Sequence, residues 1–178
     1  MHAFWSGGFH RTSVPELTVA TGLSTSSLYN TYGSKLDLFV AALDRYLARI
    51  IEGHMLGPLR QGTAGLEDID AFLGRLDRAV EVRPARGCLA VNTISEFRDP
   101  PAVVAEREVD YLRQLRAALE AALTRAAALR EIPDGVAEAR TEVLVPLVIA
   151  FNVLVASSAP ASVARGVLEA ARTIAGAS

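Results

Sequence analysis

The chain is poor in cysteine, lysine and tryptophan: Cys88, Lys35 and Trp5 are the only ones among 178 residues. A single cysteine excludes a disulfide framework and a multi-cysteine metal site, and it fits a reducing cytoplasm. An excess of positive charge is missing too, with 18 basic and 20 acidic side chains and a net charge of −2. Taken alone, that balance argues against nucleic acid, because phosphate binders usually carry a basic excess. Long hydrophobic runs are absent. The longest, Val143–Ala156, covers 14 residues and is interrupted by Pro146 and Asn152, whereas a bilayer span needs about 20. The first residues, Met1 to Gly8, lack the basic start and apolar run of a secretory signal. A soluble cytoplasmic protein with no membrane partner is therefore expected. What is plentiful is apolar content, 51% hydrophobic residues against 21% charged, which excludes a disordered chain.

Strand patterns are nearly missing, and apolar residues recur at helical spacing. One stripe is Leu36, Phe39, Leu43, Tyr46, Leu47 and Ile50, and a second is Leu112, Leu115, Leu119, Ala122, Ala126 and Leu129. Glycine and proline divide the segments at Gly22, Gly33, Gly53, Gly57-Pro58, Gly62 to Gly65, Pro100-Pro101 and Pro133 to Gly135. The expected helices are Ser13–Thr21, Thr25–Tyr32, Lys35–Glu52, Leu66–Val82, Cys88–Phe97, Ala102–Arg130, Gly135–Ser157 and Ala161–Ala175, with residues before Gly7 forming the end of a further one. The fold class is all-α, a helical bundle.

The N-terminal third is the most specific part. Ser13 and Glu16 have the spacing of a capping box, and Pro15 sits in the first turn, where its missing amide hydrogen does no harm. Val14, Leu17 and Ala20 lie on one face, and Gly22 supplies the left-handed residue that ends the helix. Ser24 then caps a second short helix, Thr25-Ser26-Ser27-Leu28-Tyr29-Asn30-Thr31-Tyr32, in which Leu28 and Tyr32 are the core residues. Two short helices joined by a glycine turn form a helix-turn-helix. The small, hydrogen-bonding residues of the second helix suit close approach to a major groove, although any short capped helix pair shares the spacing.

Leu28-Tyr29-Asn30-Thr31-Tyr32-Gly33-Ser34-Lys35-Leu36-Asp37-Leu38-Phe39 resembles the signature of the TetR/AcrR family of bacterial transcription repressors. Gly8-Phe9-His10-Arg11-Thr12-Ser13-Val14 is similar to the family's entry into its second helix. The detailed likeness runs over residues 3–47. It implies an N-terminal head, residues 1–46, that binds a double-stranded DNA operator, and a ligand-binding and dimerisation domain over residues 47–178. It implies base reading at Thr25, Ser26 and Ser27, an exposed recognition face at Tyr29, Asn30 and Thr31, phosphate contacts at Thr12 and Ser13, and a backbone contact from Lys35. Thr31 stands where the family more often has histidine. Residues 1–50 hold four basic and three acidic side chains, so the head is slightly cationic and the acidic surplus belongs to the body.

In the body, Arg86-Gly87-Cys88-Leu89-Ala90-Val91-Asn92 resembles a Gly-Cys-Leu segment that a subset of the family places at the start of its sixth helix, facing the ligand. Cys88 reads first as a small buried hydrophobe and alternatively as a thiol sensor with a helix amino end and Arg86 beside it. Asn92 and Glu96, four apart, suit either a polarised ligand contact or a cap-and-salt-bridge pair. Tyr111 and Asn152 are further polar candidates in apolar helices. The last two helices are apolar around much of their circumference and need a core or a partner. The resemblance makes them a homodimer interface, with Val143, Leu147, Phe151, Leu154, Val163, Val167, Ala171 and Ile174 as its candidates.

The expected function is a dimeric repressor released from a palindromic operator by an unidentified small-molecule effector, with no cofactor, no metal and no catalytic residue. The alternatives are a helical ligand-binding or oligomerising protein whose head does not bind DNA, and a Cys88-dependent enzyme for which no base is evident. Family members carry a complete first helix behind a basic arm, and here only Met1 to Ser6 stand in its place, so the gene product is expected to begin upstream of Met1. An extended chain is then predicted to bind operator more tightly than residues 1–178 in a gel-shift titration; equal binding overturns that expectation.

Overall fold

Short capped segments, then long apolar ones, give ten helices in the computed structural model, which describes residues 1–81, 86–157 and 159–176. They are α1 (His2–Arg11), α2 (Val14–Thr21), α3 (Thr25–Tyr32), α4 (Lys35–Tyr46), α5 (Gly57–Gln61), α6 (Leu66–Glu81), α7 (Leu89–Glu96), α8 (Ala102–Ala128), α9 (Ala137–Ala156) and α10 (Ala161–Ala175). No strand occurs among the described residues. The expected end of the fourth helix at Val82 lies outside the described residues.

The first three caps form as the side-chain chemistry requires. Ser13 and Glu16 close the reciprocal box, the Ser13 amide donating to Glu16 Oε2 at 2.6 Å and the Glu16 amide to Ser13 Oγ at 3.3 Å. These bonds hold the Glu16 carboxyl below its ordinary range. Gly22 ends α2 at φ 69°, which only glycine adopts cheaply. Ser24 accepts from the Ser27 amide at 3.2 Å to start α3, and Ser34 accepts from the Asp37 amide at 3.1 Å to start α4.

Beyond Tyr46 the helix does not stop at Gly53, as the glycine had suggested. It widens into a π-helical stretch, Leu47–Leu56, and passes straight into α5. The Gly57 amide bonds the Glu52 carbonyl five residues back, and a Cβ on Gly57 would collide with that same oxygen. Glycine is thus tolerated here because backbone crowds it, and Pro58 follows in the first turn of α5, where it costs nothing. The two breakers are absorbed, not used as ends.

α8 is the mast of the bundle. Val104, Tyr111, Leu115, Ala118, Leu119, Ala122, Leu123 and Ala126 are buried along it, and α5, α6 and α9 pack on it. Its alanines let neighbours approach closely. The expected stripe is rotated slightly: Leu129 is 53% exposed and Leu112 only half-buried, while Tyr111 and Ala118 take the inside. The helix ends at Ala128, with Arg130 in the left-handed region at φ 60°.

α9 and α10 pack mainly against each other, α9 also along α8 and α10 across α6. By length and composition α9 would also cross a bilayer, yet Leu144, Val148, Phe151 and Val155 are buried in the bundle. Its two buried polar residues bond their own helix: Thr141 Oγ1 donates to the Ala137 carbonyl and Asn152 Nδ2 to the Val148 carbonyl, each at 2.8 Å. Phe151 and Ala171, expected at a dimer interface, are 0% and 1% exposed within this one subunit. They are core residues, because they face α8 and the α9–α10 seam, not the outside.

One group is poorly accommodated. Glu108 Oε1 on α8 is buried with no hydrogen-bond partner, and desolvation raises the carboxyl's pKa. A carboxyl with a raised folded pKa weakens the fold once the unfolded chain would ionise it, and this cost fades as pH falls through the folded pKa. Glu108→Gln is therefore expected to raise the melting temperature at pH 7, with the gain shrinking toward pH 4 in thermal melts across that range.

Candidate nucleic-acid interface and effector cavity

α2 and α3 pack on α4 through Leu17 and Leu28, both buried. This leaves Thr25, Ser26, Tyr29, Asn30 and Thr31 exposed on the outer side of α3, with Ser27 half-buried. Tyr32, expected in the core, is 37% exposed, and Ala20 faces out as well. One turn's displacement from Leu28 is enough on a helix this short to pass the edge of α4. The exposed set offers hydroxyls, an amide and a phenol, which is the chemistry of base-edge and phosphate contacts.

Ser13 is exposed at the start of α2, as expected. Thr12 is not. It is 3% exposed, and its hydroxyl donates to the Gly8 carbonyl at 2.5 Å. Thr12 therefore closes the end of α1 from inside and has no access to phosphate. Lys35 is half-buried with Nζ 4.6 Å over the Phe9 ring and 3.5 Å from the His10 carbonyl, so the ring and carbonyl fix its stem at the joint of α1 and α4 while other ammonium hydrogens stay free.

α1 ties this head to the body. Gly8 breaks the helix at φ 73°, which turns the amides of Phe9 and His10 outward, and Glu96 at the end of α7 accepts both, at 2.8 and 2.7 Å. The Glu96 oxygens stand so close to Gly8 that a Cβ there would strike them. At the other end of α1, the Trp5 indole N–H donates to the Gly87 carbonyl at 3.0 Å and the ring meets Tyr46 edge-on at 5.0 Å. Phe97 packs between, on Phe9, His10 and Phe39. Glu96 is thus a head-to-body clamp, and Asn92 caps locally, its Nδ2 donating to the Arg86 carbonyl at 2.7 Å. Neither lines the interior cavity; both border the outer cleft between α1 and α7. The cap that the sequence offered as the alternative for Asn92 is present, and Glu96 pairs with backbone amides in place of a cation.

The interior cavity has a volume of about 130 Å³. Cys88, Tyr111 and Asn152 do line it, with Trp5, Tyr46, Met55, Phe72, Arg75, Leu115 and Val148 among their neighbours. Cys88 Sγ lies 3.9 Å from the Tyr111 hydroxyl, and Tyr46 lines the same wall. Burial, followed by the neighbouring Cys88 sulfur, raises both phenols well above the ordinary tyrosine value. Both stay neutral and able to donate. Sequence reasoning missed Trp5, Tyr46, Phe72 and Arg75. The π-helical stretch, which supplies Ile50, Ile51, Met55 and Leu56 to the wall, hid the geometry.

On the outer side of α9 and α10, Val143 and Val163 are 44% and 48% exposed, Ile174 is 36% exposed, and Leu147, Leu154 and Val167 are half-buried. Val153, not singled out in the sequence, joins them at 42%. This is a continuous apolar face at i, i+3/i+4 spacing.

A helix-turn-helix clamped to a helical body with an interior cavity defines a DNA-binding regulator. The model of bacterial regulatory proteins of the tetR family matches residues 1–42, and that of the tetracyclin repressor-like C-terminal domain matches residues 65–167. The chain belongs to the TetR family and is a transcriptional regulator, not an enzyme. It is 41% identical over 54 residues to the HTH-type transcriptional repressor ComR of Escherichia coli, a stretch covering 30% of this chain and only 26% of that protein. The chain thus matches about a quarter of this curated relative's length. Its fold is that of Escherichia coli NemR in its reduced form, with a TM-score of 0.82 at 21% identity over 97% of this chain and 90% of that one. A TetR-family regulator from Agrobacterium tumefaciens superposes at 0.80, with 21% identity over 94% and 90%.

Glu96→Ala, which opens the Phe9 and His10 amides, is expected to cost about 1–2 kcal/mol in urea unfolding. Glu96→Gln, which keeps an acceptor, is expected to cost less.

Proposed function

We propose that the protein is a cytoplasmic, homodimeric repressor that leaves a palindromic operator when a small molecule fills its interior cavity. One observation carries this reading: Trp5 belongs to α1 of the head, yet its ring lines the cavity and its N–H holds the Gly87 carbonyl. A molecule entering beside Trp5 touches head and body together. It has a differential affinity for any two placements of the head, which is what release by an effector requires.

In this reading residues 1–46 form the DNA-binding head and residues 47–178 the effector and dimerisation domain. Thr25, Ser26, Ser27, Tyr29, Asn30 and Thr31 face the major groove, and Ser13 and Lys35 face the phosphates. The outer face of α9 and α10, with Val143, Leu147, Leu154, Val163, Val167 and Ile174, meets its counterpart in a second copy. The two recognition helices then sit about 34–36 Å apart, one turn of duplex. Cys88, Tyr111 and Asn152 contact the effector.

The test is gel shift on promoter fragments at several salt concentrations. Tyr29→Ala is expected to lose specific binding. Lys35→Gln is expected to weaken binding to all sequences and to lower the salt slope by about one. A protein that forms no salt-sensitive specific complex, with or without upstream residues, is not an operator-binding repressor.

A further inference from the structure

The interior cavity contains one charge. Arg75 on α6 lines it, and no aspartate or glutamate does. Arg75 is half-buried, and neither a hydrogen bond nor an ion pair holds its guanidinium. Among the other half-buried arginines, Arg107 is held by Asp44 at 3.0 Å, Arg165 by Asp77 at 3.0 Å and Arg140 by the Ala175 carbonyl at 2.9 Å, while Arg86, whose buried Nε has no partner, borders the outer cleft and not this cavity. The sequence around Arg75 provides no relief either. Its neighbours one turn away are Ala71, Phe72, Arg78 and Ala79, none of them a carboxylate. The Arg75 guanidinium nitrogens are not among the buried unpartnered atoms, so the group stays open to water and free to take an anion in a charge-assisted bond.

Size and wall chemistry narrow what that is. The cavity of about 130 Å³ is close to one known to hold benzene, roughly 150 Å³. Trp5, Tyr46, Phe72 and Tyr111 give it four aromatic walls, which favour a flat ring through offset or edge contacts. We infer that the effector is a small aromatic carboxylate, one ring with its carboxylate on the Arg75 guanidinium. The guanidinium fork matches a carboxylate in two parallel, charge-assisted hydrogen bonds, which a neutral carboxamide does not reproduce. Tyr46 and Tyr111 are left to donate to a polar substituent elsewhere on the ring.

This inference rests on the reading of the cavity as an effector site and refines it. Trp5 is the only tryptophan in the chain and it lines the cavity, so its fluorescence reports occupancy without a label. Titration of the full chain with benzoate and with benzamide, its neutral near-isostere, is expected to show at least tenfold tighter binding of benzoate. Arg75→Gln is expected to abolish the preference and Arg75→Lys to keep part of it, with thermal melts establishing that each variant is folded. Equal binding of the two compounds, a benzoate preference that survives Arg75→Gln, or no binding of either at millimolar concentration overturns the inference. The same titrations with promoter DNA present separate the two claims. If benzamide binds as well and releases DNA, the effector reading stands and the carboxylate falls. If benzoate binds through Arg75 and the DNA complex is untouched, the carboxylate site stands and release by an effector falls.

Discussion

The head keeps its place through three hydrogen bonds made by α1, two from its backbone amides and one from the Trp5 side chain. The Glu96 carboxylate takes up the Phe9 and His10 amides, and the Trp5 indole holds the Gly87 carbonyl. Both depend on glycine: Gly8 at φ 73° turns the amides outward, and Gly87 at φ 60° lies against the Asn152 carbonyl, where a Cβ would have no room. A backbone bond fixes orientation more rigidly than a contact between long side chains, so the recognition helix inherits its direction from α7 of the body. Phe97, packed on Phe9, His10 and Phe39, closes the apolar side of this joint.

The body is laced by charge on its outside and by alanine within. Arg165 bridges α10 to Asp77 and Glu81 of α6, Arg172 reaches Asp70, and Arg125 of α8 meets Asp68. These pairs sit at the edges of helix contacts whose centres are apolar. At surface exposure each contributes little to stability, on the order of 0–1 kcal/mol, and their use lies more in fixing helix register. Arg107 does the same at the head's border, forking onto both oxygens of Asp44 at 3.0 and 3.2 Å. These pairs leave the acidic surplus of the body unchanged, and the net charge of −2 averages that surplus with a slightly cationic head, so it carries no message about the head.

The local chemistry of the chain was legible from its sequence, and its long-range geometry was not. Caps at Ser13 and Ser24 and the stops at Gly22 and Gly33 depend on residues within four positions of each other, so reading them from spacing succeeded. The exposed face of α3 followed from them. Glu96 was found as a polar residue on a helix of the body, but its partners Phe9 and His10 are far away in sequence, and nothing local assigns it to α1. Thr12 failed for the complementary reason: its type and place suited phosphate, while its burial depends on Ala3 and Gly8. Phe151 and Ala171 could not be told from Val143 and Val163 by composition, because a helix apolar all round does not announce which side meets its own core.

The π-helical stretch between head and body also acts as a gear. Bonds that skip five residues give wider turns than α-helix, so Leu47–Leu56 holds its ends in a phase that ten residues of α-helix would not. Each residue of α-helix turns the chain by about 100°. Losing or gaining one residue in this stretch would change the phase between α4 and α5 by that angle and carry Ile50, Ile51, Met55 and Leu56 of the cavity wall out of register. The length of this one internal stretch therefore governs both the direction of α3, which rides on α4, and the lining of the cavity.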